Sequence, residues 1–209
     1  MEHKKKEIKA LIFDVGGVLR LGHHSFDHPG VHNFVINKLK IDLDHYLDAI
    51  DTAYTDSIVG KISEKKALEI MARNLEVIKP KKLAKLYIKA YKKYYVLNKE
   101  LINYAFKKKK QGYKIAILSD QWWLSKKALF SKEFYNKFNA TIVSCDVGLR
   151  KPDKAIYMLA LKKLKLPAKE TLLIDNRDWN LTPGKKLGMK TVLFENNKQA
   201  IKEIEKLLK

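Results

Sequence analysis

Five short apolar segments, separated by helical patterns, constrain the fold of this chain more than any other feature. They cover residues 9–13, 114–118, 140–144, 171–174 and 190–194. Because strands that are buried on both faces read as continuous apolar runs, these segments predict a parallel sheet. The helical patterns between the later segments predict right-handed strand–helix–strand units with helices on both faces. The expected fold class is therefore α/β, with a Rossmann-like parallel sheet as its core.

One long stretch interrupts this alternation. From about residue 22 to residue 98 no strand pattern occurs, and about four helical patterns follow one another. Ser63 stands at the N-cap position of the third pattern. A block of helices after the first strand predicts an inserted helical cap domain at 22–98, within a core domain made of 1–21 and 99–209.

Polar residues lie at or just beyond the ends of four predicted strands. They are Asp14; Ser119 and Asp120; Lys151; and the group Asp175, Asn176, Asp178 and Asn180. Because the carboxyl ends of parallel strands share one edge of a sheet, all four groups are expected at one site. A carboxylate nucleophile, a hydroxyl, a lysine and acids that hold Mg²⁺ form a set suited to phosphoryl transfer.

Two glycines follow the first of these carboxylates. Gly16 and Gly17 allow a sharp turn and let a ligand approach the backbone closely. The alternative role for Asp14 is a helix cap, but residues 15–19 show no helical periodicity. The sequence therefore favours a functional role for Asp14.

The polar groups fall in four motifs that resemble those of the haloacid dehalogenase superfamily of hydrolases in order and spacing. The motifs are FDVGGVL, ILSD, GLRKPDKAIY and LLIDNRDWNLTPGKKLGMKTVLF. The resemblance covers nearly the whole chain, and GKISEKKA resembles the helical cap of the sugar-phosphate phosphatase branch. It implies that Asp14 is the nucleophile that forms an aspartyl-phosphate. It also implies that Ser119 and Asp120 contribute to phosphate binding, and that Lys151 steadies both the nucleophile and the phosphate.

The same resemblance implies a Mg²⁺ site. Its ligands would be Asp14, the backbone carbonyl of Gly16, Asp175 and Asn176. Asn176 replaces a residue that is often acidic in the family, so the site loses one negative charge and is expected to bind Mg²⁺ more weakly. Asp178 is a candidate source of the missing charge.

A second departure from the family's pattern concerns the proton donor. Phosphatases of the family usually carry a second aspartate two residues after the nucleophile as general acid and base, where this chain has Gly16. Asp27 or a histidine of the segment GHHSFDH (22–28) is a candidate replacement. This segment also has residue types that bind transition metals, although an exposed hinge is the favoured interpretation. Trp122 and Trp123 either stack on a substrate ring or pack in the core, and packing is favoured for at least one.

Three functions are compatible with these motifs. The leading expectation is a Mg²⁺-dependent phosphatase that acts on a small phosphorylated metabolite. The first alternative is a metal-independent dehalogenase whose carboxylate attacks carbon, although the retained acids Asp175 and Asp178 argue against it. The second alternative is a degenerate, non-catalytic binder of a phosphorylated ligand or of RNA.

Charge and cysteine content bear on partners and location. Lys and Arg total 43 against 23 Asp and Glu, which gives a net charge of +20 and makes nucleic acid a candidate partner. Only four of these residues are arginine, and scattered lysines are typical of solvated helix faces, so specific nucleic-acid binding is not expected. No apolar stretch approaches the roughly 20 residues of a membrane span, and no membrane partner is expected. The single cysteine, Cys145, fits a reducing compartment, so a cytoplasmic location is expected. The sequence does not indicate an oligomeric state.

Overall fold

The computed structural model describes residues 8–22 and 30–209. The strands in chain order are β1 (Ala10–Phe13), β2 (Arg20–Leu21), β3 (Val96–Leu97), β4 (Lys114–Ser119), β5 (Ala140–Val143), β6 (Thr171–Asp175) and β7 (Lys190–Leu193). The helices are α1 (Val31–Leu39), α2 (Leu43–Ile58), α3 (Glu64–Leu75), α4 (Pro80–Tyr94), α5 (Lys99–Lys110), α6 (Trp123–Leu129), α7 (Lys132–Tyr135), α8 (Ser144–Val147), α9 (Lys154–Leu164), α10 (Asp178–Lys186) and α11 (Asn197–Leu208).

Five of the strands form one parallel sheet in the order β5-β4-β1-β6-β7. Each begins and ends within one residue of a segment that the sequence predicts as a strand. The α/β class with a Rossmann-like parallel sheet is therefore confirmed. Because β1 lies in the centre, with β4 and β6 on either side, residues at the carboxyl ends of these three strands are neighbours.

The central strand shows why an uninterrupted apolar run predicts a sheet covered on both faces. All four residues of β1 are buried. Leu11 and Phe13 belong to the larger hydrophobic cluster of the protein, whereas Ala10 and Ile12 belong to the smaller one. Successive side chains of a strand point to opposite faces, so a strand between two layers of helices needs apolar residues at every position.

Four helices, α1 to α4, lie between β2 and β3, as the sequence predicts. The hydroxyl of Ser63 accepts a hydrogen bond from the Lys66 backbone N–H at 3.2 Å, so the predicted N-cap of α3 is confirmed. Buried residues of these helices, including Tyr46 and Leu75, belong to the same large cluster as Phe13 of β1. The four helices and this face of the sheet therefore share one hydrophobic core.

The expectation that the stretch from about 22 to 98 contains no strand is wrong. Val96 and Leu97 form β3, which pairs antiparallel with β2, so that Arg20 lies opposite Leu97 and Leu21 opposite Val96. A strand of two residues is too short to produce an alternating pattern that the sequence could reveal. The resulting ribbon stands where the chain enters and leaves the four-helix segment.

None of the helices among the described residues is long and apolar enough to cross a membrane.

Candidate active site

Three of the predicted site residues lie side by side at one edge of the sheet. Ser119 and Asp175 are the last residues of β4 and β6, and Asp14 directly follows β1 between them. The backbone N–H of Asp14 donates to the carbonyl of Ile174 at 3.0 Å, so pairing with β6 continues up to the carboxylate. The sheet thus fixes the backbone of Asp14 before any side-chain contact is considered.

Lys151 links two of these positions. Its Nζ lies 3.1 Å from Oδ1 of Asp14 and 2.5 Å from Oδ2 of Asp175, and all three side chains are almost completely buried. The loop that carries Lys151 is held in place by its backbone N–H, which donates to Oδ1 of Asp120 at 3.0 Å. The structure therefore brings together the nucleophile candidate, the lysine and the first acid of the fourth motif.

The charge of Lys151 is maintained by its neighbours. Burial alone would lower the pKa of this ammonium group, but the nearby carboxylates of Asp14, Asp175 and Asp120 outweigh burial and raise the pKa above its ordinary value. Lys151 is consequently protonated at neutral pH, and it offsets charge that would otherwise be repulsive between Asp14 and Asp175.

The carboxylate of Asp175 is completely buried and accepts hydrogen bonds from several donors. Besides Lys151, the backbone N–H of Arg177 donates at 2.9 Å, and the amide of Asn180 donates to both oxygens at 3.1 and 3.2 Å. The backbone carbonyl of Asn180 in turn accepts a hydrogen bond of 2.6 Å from the hydroxyl of Tyr157. The sequence placed Asn180 in the polar group that follows β6 and assigned it no specific contact. Its role in holding Asp175 was missed, because that role depends on where α10 begins.

Ser119 and Asp120 both face the same cavity as Asp14. Ser119 is buried at the end of β4 and stands four residues before α6, so it is not the N-cap of that helix. Burial raises the pKa of Asp120, and the positive charge of Lys151 partly offsets this rise. Both residues therefore line the cavity at the carboxyl end of β4, and Asp120 also contacts the backbone of Lys151.

One of the expected metal ligands, Asn176, has a side-chain oxygen without a partner. Oδ1 of Asn176 is buried and has no hydrogen-bond partner, and leaving a polar atom in that state costs about 1–3 kcal/mol. Gly17 packs against the same amide so closely that a Cβ there would lie 2.3 Å from Nδ2 of Asn176. The turn after Asp14 and the residues after β6 are thus in contact. A buried amide oxygen without a partner, next to the turn that follows Asp14, is a type of ligand that fits a hard cation such as Mg²⁺.

Asp178 does not supply the charge that Asn176 lacks. It is the first residue of α10, its side chain is 65% exposed, and it pairs with Lys185 at 3.1 Å. It does not line the cavity. Within the described residues no group of three or more His, Cys, Asp and Glu side chains is placed to hold a metal. The suggestion that Asp178 compensates is therefore wrong, because the helix start turns this side chain towards solvent.

The site opens into a cavity of about 520 Å³ between the sheet edge and helices α1 and α2. The core side is formed by residues that include Asp14, Gly16, Ser119, Asp120, Gln121, Arg150, Lys151, Arg177 and Asn180. The helical side is formed by His32, Leu47, Ile50, Asp51, Tyr54 and Ile58. The volume and the mixture of polar and apolar groups suit a small metabolite.

The tryptophans after the second motif belong to the packing around this cavity rather than to its lining. Trp122 is fully buried, and its indole N–H donates to the Tyr91 hydroxyl at 2.7 Å. The indole N–H of Trp123 donates to the carbonyl of Ile62 at 2.9 Å. Neither ring lines the cavity. The packing that the sequence favours for at least one of them is confirmed for Trp122, and the alternative of stacking on a substrate is wrong. Cys145 is buried, and burial raises the pKa of its thiol to about 12.

The histidine at the cavity is not one of the proton-donor candidates that the sequence suggests. Asp27 and the histidines His23, His24 and His28 lie outside the described residues. Another histidine, His32 of α1, does line the cavity, and its Nδ1 lies 2.7 Å from the hydroxyl of Tyr46. Sequence reasoning missed His32, because only the fold of α1 over the sheet brings it to the site.

Two further cavity residues were missed, Arg150 and Arg177. A signal for them exists in the sequence. Each is one of only four arginines among 43 basic residues, and each stands next to a predicted site residue, Lys151 or Asn176.

Comparison with known proteins gives a consistent pattern. A family model described as haloacid dehalogenase-like hydrolase matches residues 8–188. Bifunctional epoxide hydrolase 2 of Sus scrofa is 33% identical over 116 residues, which are 53% of this chain and 21% of that protein. The matching stretch thus spans about a fifth of that relative's length.

Two other matches bear on chemistry and fold. Glyceraldehyde 3-phosphate phosphatase of Pyrococcus abyssi is 32% identical over 93 residues, 42% of this chain and 37% of that enzyme. A HAD family enzyme of Bacteroides thetaiotaomicron, solved with magnesium and inorganic phosphate, superimposes with a TM-score of 0.71 at 19% identity. That superposition covers 88% of this chain and 93% of the other. At this identity the likeness concerns the fold alone.

Proposed function

This chain belongs to the haloacid dehalogenase-like hydrolases, and on that premise we propose that it is a Mg²⁺-dependent phosphatase of a small phosphorylated metabolite. The observation that carries the proposal is the buried arrangement of Asp14, Lys151 and Asp175 below a cavity of metabolite size. A carboxylate that is oriented by a lysine and opens to a cavity is equipped for nucleophilic attack.

In the proposed reaction an oxygen of Asp14 attacks the phosphorus atom of a phosphate monoester. The bond from phosphorus to the leaving oxygen breaks, and an aspartyl-phosphate forms. Water then cleaves the acyl phosphate, which releases inorganic phosphate and restores the carboxylate. Lys151 binds Oδ1 of Asp14 at 3.1 Å and so fixes the orientation of the nucleophile. The hydroxyl of Ser119 and the ammonium of Lys151 would hold the equatorial oxygens of the phosphoryl group.

We propose that Mg²⁺ is held by Asp14, the carbonyl of Gly16, Asp175 and Asn176. When bound, the cation neutralises charge that develops on the phosphoryl oxygens. The orphaned Oδ1 of Asn176 supports this assignment, since a cation gives that oxygen the partner it lacks. Asn180 and the backbone N–H of Arg177 would keep the carboxylate of Asp175 in position.

Residues 22–98 would act as a cap domain that selects the substrate, and residues 1–21 and 99–209 as the catalytic core. Cap side chains that include His32, Asp51 and Tyr54 line the cavity opposite Asp14, which supports this division of labour. The names of two matches also support phosphate chemistry, a glyceraldehyde 3-phosphate phosphatase and a structure solved with magnesium and inorganic phosphate.

Turnover of p-nitrophenyl phosphate with Mg²⁺, and its loss on adding EDTA, tests the proposal. Asp14→Asn should abolish turnover, because an amide cannot form the acyl phosphate. Asp178→Asn is the matched control, since it removes one negative charge from an exposed position outside the cavity. Full activity of the Asp14→Asn protein would exclude the mechanism. Turnover of 2-chloropropionate in EDTA, without turnover of any phosphate ester, would establish the dehalogenase alternative instead.

A further inference from the structure

This chain contains few arginines, and half of them line one cavity. Only four of the 43 basic residues are arginine, and Arg150 and Arg177 line the candidate active site. Of the other two, Arg20 lies over an aromatic ring and Arg73 is exposed in the last turn of α3. The guanidinium group presents a planar fork of donors that matches carboxylate and phosphate oxygens. Its concentration at the cavity therefore indicates an anion-binding role.

Neither cavity arginine is used to hold the fold together by ion pairing. In the part of the chain that the structure describes, no ion pair or hydrogen bond involves the guanidinium group of Arg150 or Arg177, although the backbone N–H of Arg177 donates to Asp175. Arg177 is instead placed over the ring of Trp179, with the guanidinium carbon 5.5 Å from the ring centroid. A guanidinium stacked on an aromatic face keeps its in-plane donors available to a ligand.

Both arginines act on the helical side of the cavity. Burial raises the pKa of the Tyr54 hydroxyl, and the positive charges of Arg150 and Arg177 each oppose that rise. Tyr54 belongs to α2 and lines the helical side of the same cavity, so the charges of the two arginines reach across the cavity to the cap. This is the side on which the part of a substrate beyond its phosphoryl group would lie.

The lysine on the floor of the site is already paired. Lys151 is paired with Asp14 and Asp175, so its positive charge is compensated by buried carboxylates. Asp51 and Asp120 also line the cavity, and the positive charge of Arg150 opposes the rise that burial causes in the pKa of Asp120. Within the described residues neither carboxylate forms an ion pair with an arginine, so the donors of both guanidinium groups remain available to a ligand in the cavity.

We infer that Arg150 and Arg177 form a second anion site, and that the substrate is a phosphate monoester whose leaving group carries a further oxyanion. That oxyanion is a carboxylate or a second phosphate, because either matches the donor fork of a guanidinium. The inference rests on the proposed phosphatase function and names the class of substrate on which it acts.

Three esters of nearly equal length test it: 2-phosphoglycolate, ethylene glycol bisphosphate and 2-hydroxyethyl phosphate. The first two carry the second oxyanion as carboxylate and as phosphate, and the third carries a neutral hydroxyl. At least one charged ester should have a kcat/KM at least about tenfold above that of hydroxyethyl phosphate. Whichever of the two charged esters has the higher kcat/KM shows whether the second oxyanion is a carboxylate or a phosphate.

Variants assign that preference to the arginines. Arg150→Gln and Arg177→Gln should each lower kcat/KM for the preferred charged ester by about 10- to 100-fold, mainly through KM, while hydroxyethyl phosphate changes less than about twofold. Arg73→Gln removes the same charge from an exposed helix position and should alter neither substrate. Equal losses for charged and neutral esters would overturn the inference, because the arginines would then serve the transferred phosphoryl group.

A binding measurement separates failure of this inference from failure of the proposed function. In the Asp14→Asn protein, which should not turn over, calorimetric titration compares phosphoglycolate and ethylene glycol bisphosphate with hydroxyethyl phosphate. Tighter binding of a charged ester that is lost in Arg150→Gln or Arg177→Gln supports the second anion site even if the parent protein cleaves no phosphate ester. Equal binding of all three esters refutes it even if the parent protein is an active phosphatase.

Discussion

The side-chain amide nitrogen of Asn180 lies 3.1 Å and 3.2 Å from the two carboxylate oxygens of Asp175. Asp175 is completely buried, so its charge depends on protein donors rather than on water. Asn180 is thereby the part of α10 that holds the carboxylate against Lys151.

Asn180→Ala should therefore lower both stability and activity. Loss of a donor to a buried charged group costs about 1–3 kcal/mol of unfolding free energy. A carboxylate that is free to rotate should also reduce kcat by about 10- to 100-fold. Urea denaturation and steady-state kinetics measure the two effects. Asn103→Ala, at an exposed position of α5, is the control and should change neither quantity. An unaltered Asn180→Ala protein would mean that Lys151 and the Arg177 backbone N–H are sufficient.

Asn176→Asp should strengthen Mg²⁺ binding. The amide oxygen is a neutral ligand, and a carboxylate in its place adds a full charge to a buried site. The expected gain in affinity is about tenfold, measured by calorimetric titration with Mg²⁺ and by the Mg²⁺-dependent rise in Tm. Asn103→Asp adds the same charge at an exposed position of α5 outside the cavity and should leave Mg²⁺ affinity unchanged. Equal affinity of parent and Asn176→Asp proteins would remove residue 176 from the ligand set.

Gly17→Ala should destabilise the protein by more than about 1 kcal/mol. Gly17 has a φ of 83°, and a Cβ there would lie 2.3 Å from Nδ2 of Asn176. Both the backbone and the neighbouring amide would have to move. Chemical denaturation tests this, with Gly112→Ala as the control. Gly112 also has a positive φ, of 96°, but no atom lies near its hypothetical Cβ. The two substitutions therefore differ only by the contact with Asn176.

Gly16→Asp should change the preference between leaving groups. Unlike Gly17, Gly16 does not have a positive φ, so its backbone can accept a side chain. A positioned acid is worth about 10²–10⁴-fold, but only where the leaving oxygen needs a proton. Turnover of alkyl phosphates should rise, and turnover of p-nitrophenyl phosphate should change little, since nitrophenolate leaves as a stable anion. If the ratio of the two rates stays constant in a folded variant, a group already present, such as His32, donates the proton.

Stability should fall steeply at alkaline pH. Burial raises the folded-state pKa of Tyr46, Tyr87 and Tyr91 above its ordinary value. Their contribution is fully present below the unfolded-state pKa of about 10, and it is lost as pH rises towards the folded-state pKa. Each such group adds a slope of about 1.4 kcal/mol per pH unit in that range. Tyr87→Phe should reduce the slope by one group's share. An identical slope in the parent and the Tyr87→Phe proteins would contradict this assignment.

The sequence predicts the sheet better than it predicts the surroundings of the site. The strands of the large sheet are evident because two layers of helices demand apolar residues at every position, as in β1. The positions of Asp14, Ser119 and Asp175 follow from the same logic, since parallel strands end at one edge. The direction of a side chain on a helix does not follow from this logic. Asp178 points to solvent and Asn180 to Asp175 although only Trp179 separates them, and the start of α10 decides which is which.

Cavity residues contributed by distant segments are even harder to predict from the sequence. His32 and Tyr54 reach the site only because α1 and α2 fold over the sheet, an arrangement of packing between elements that no local pattern records. Trp122 shows the converse. Its place directly after the second motif leaves both stacking on a substrate and core packing open, and only the structure shows that its indole N–H donates to Tyr91 of α4 and that the ring is fully buried.

The short ribbon of β2 and β3 has a consequence for how this protein can vary. Because Arg20 pairs with Leu97 and Leu21 with Val96, the two ends of the four-helix segment are adjacent on neighbouring strands. A tight two-residue hairpin turn would be enough to join Leu21 to Val96 directly. The order of the strands, and with it the placement of Asp14 and Lys151, therefore does not depend on the number or the sequence of the residues between Leu21 and Val96. The helical segment that lines one side of the cavity can therefore be replaced by another segment while the strands that carry Asp14 and Asp175 keep their order.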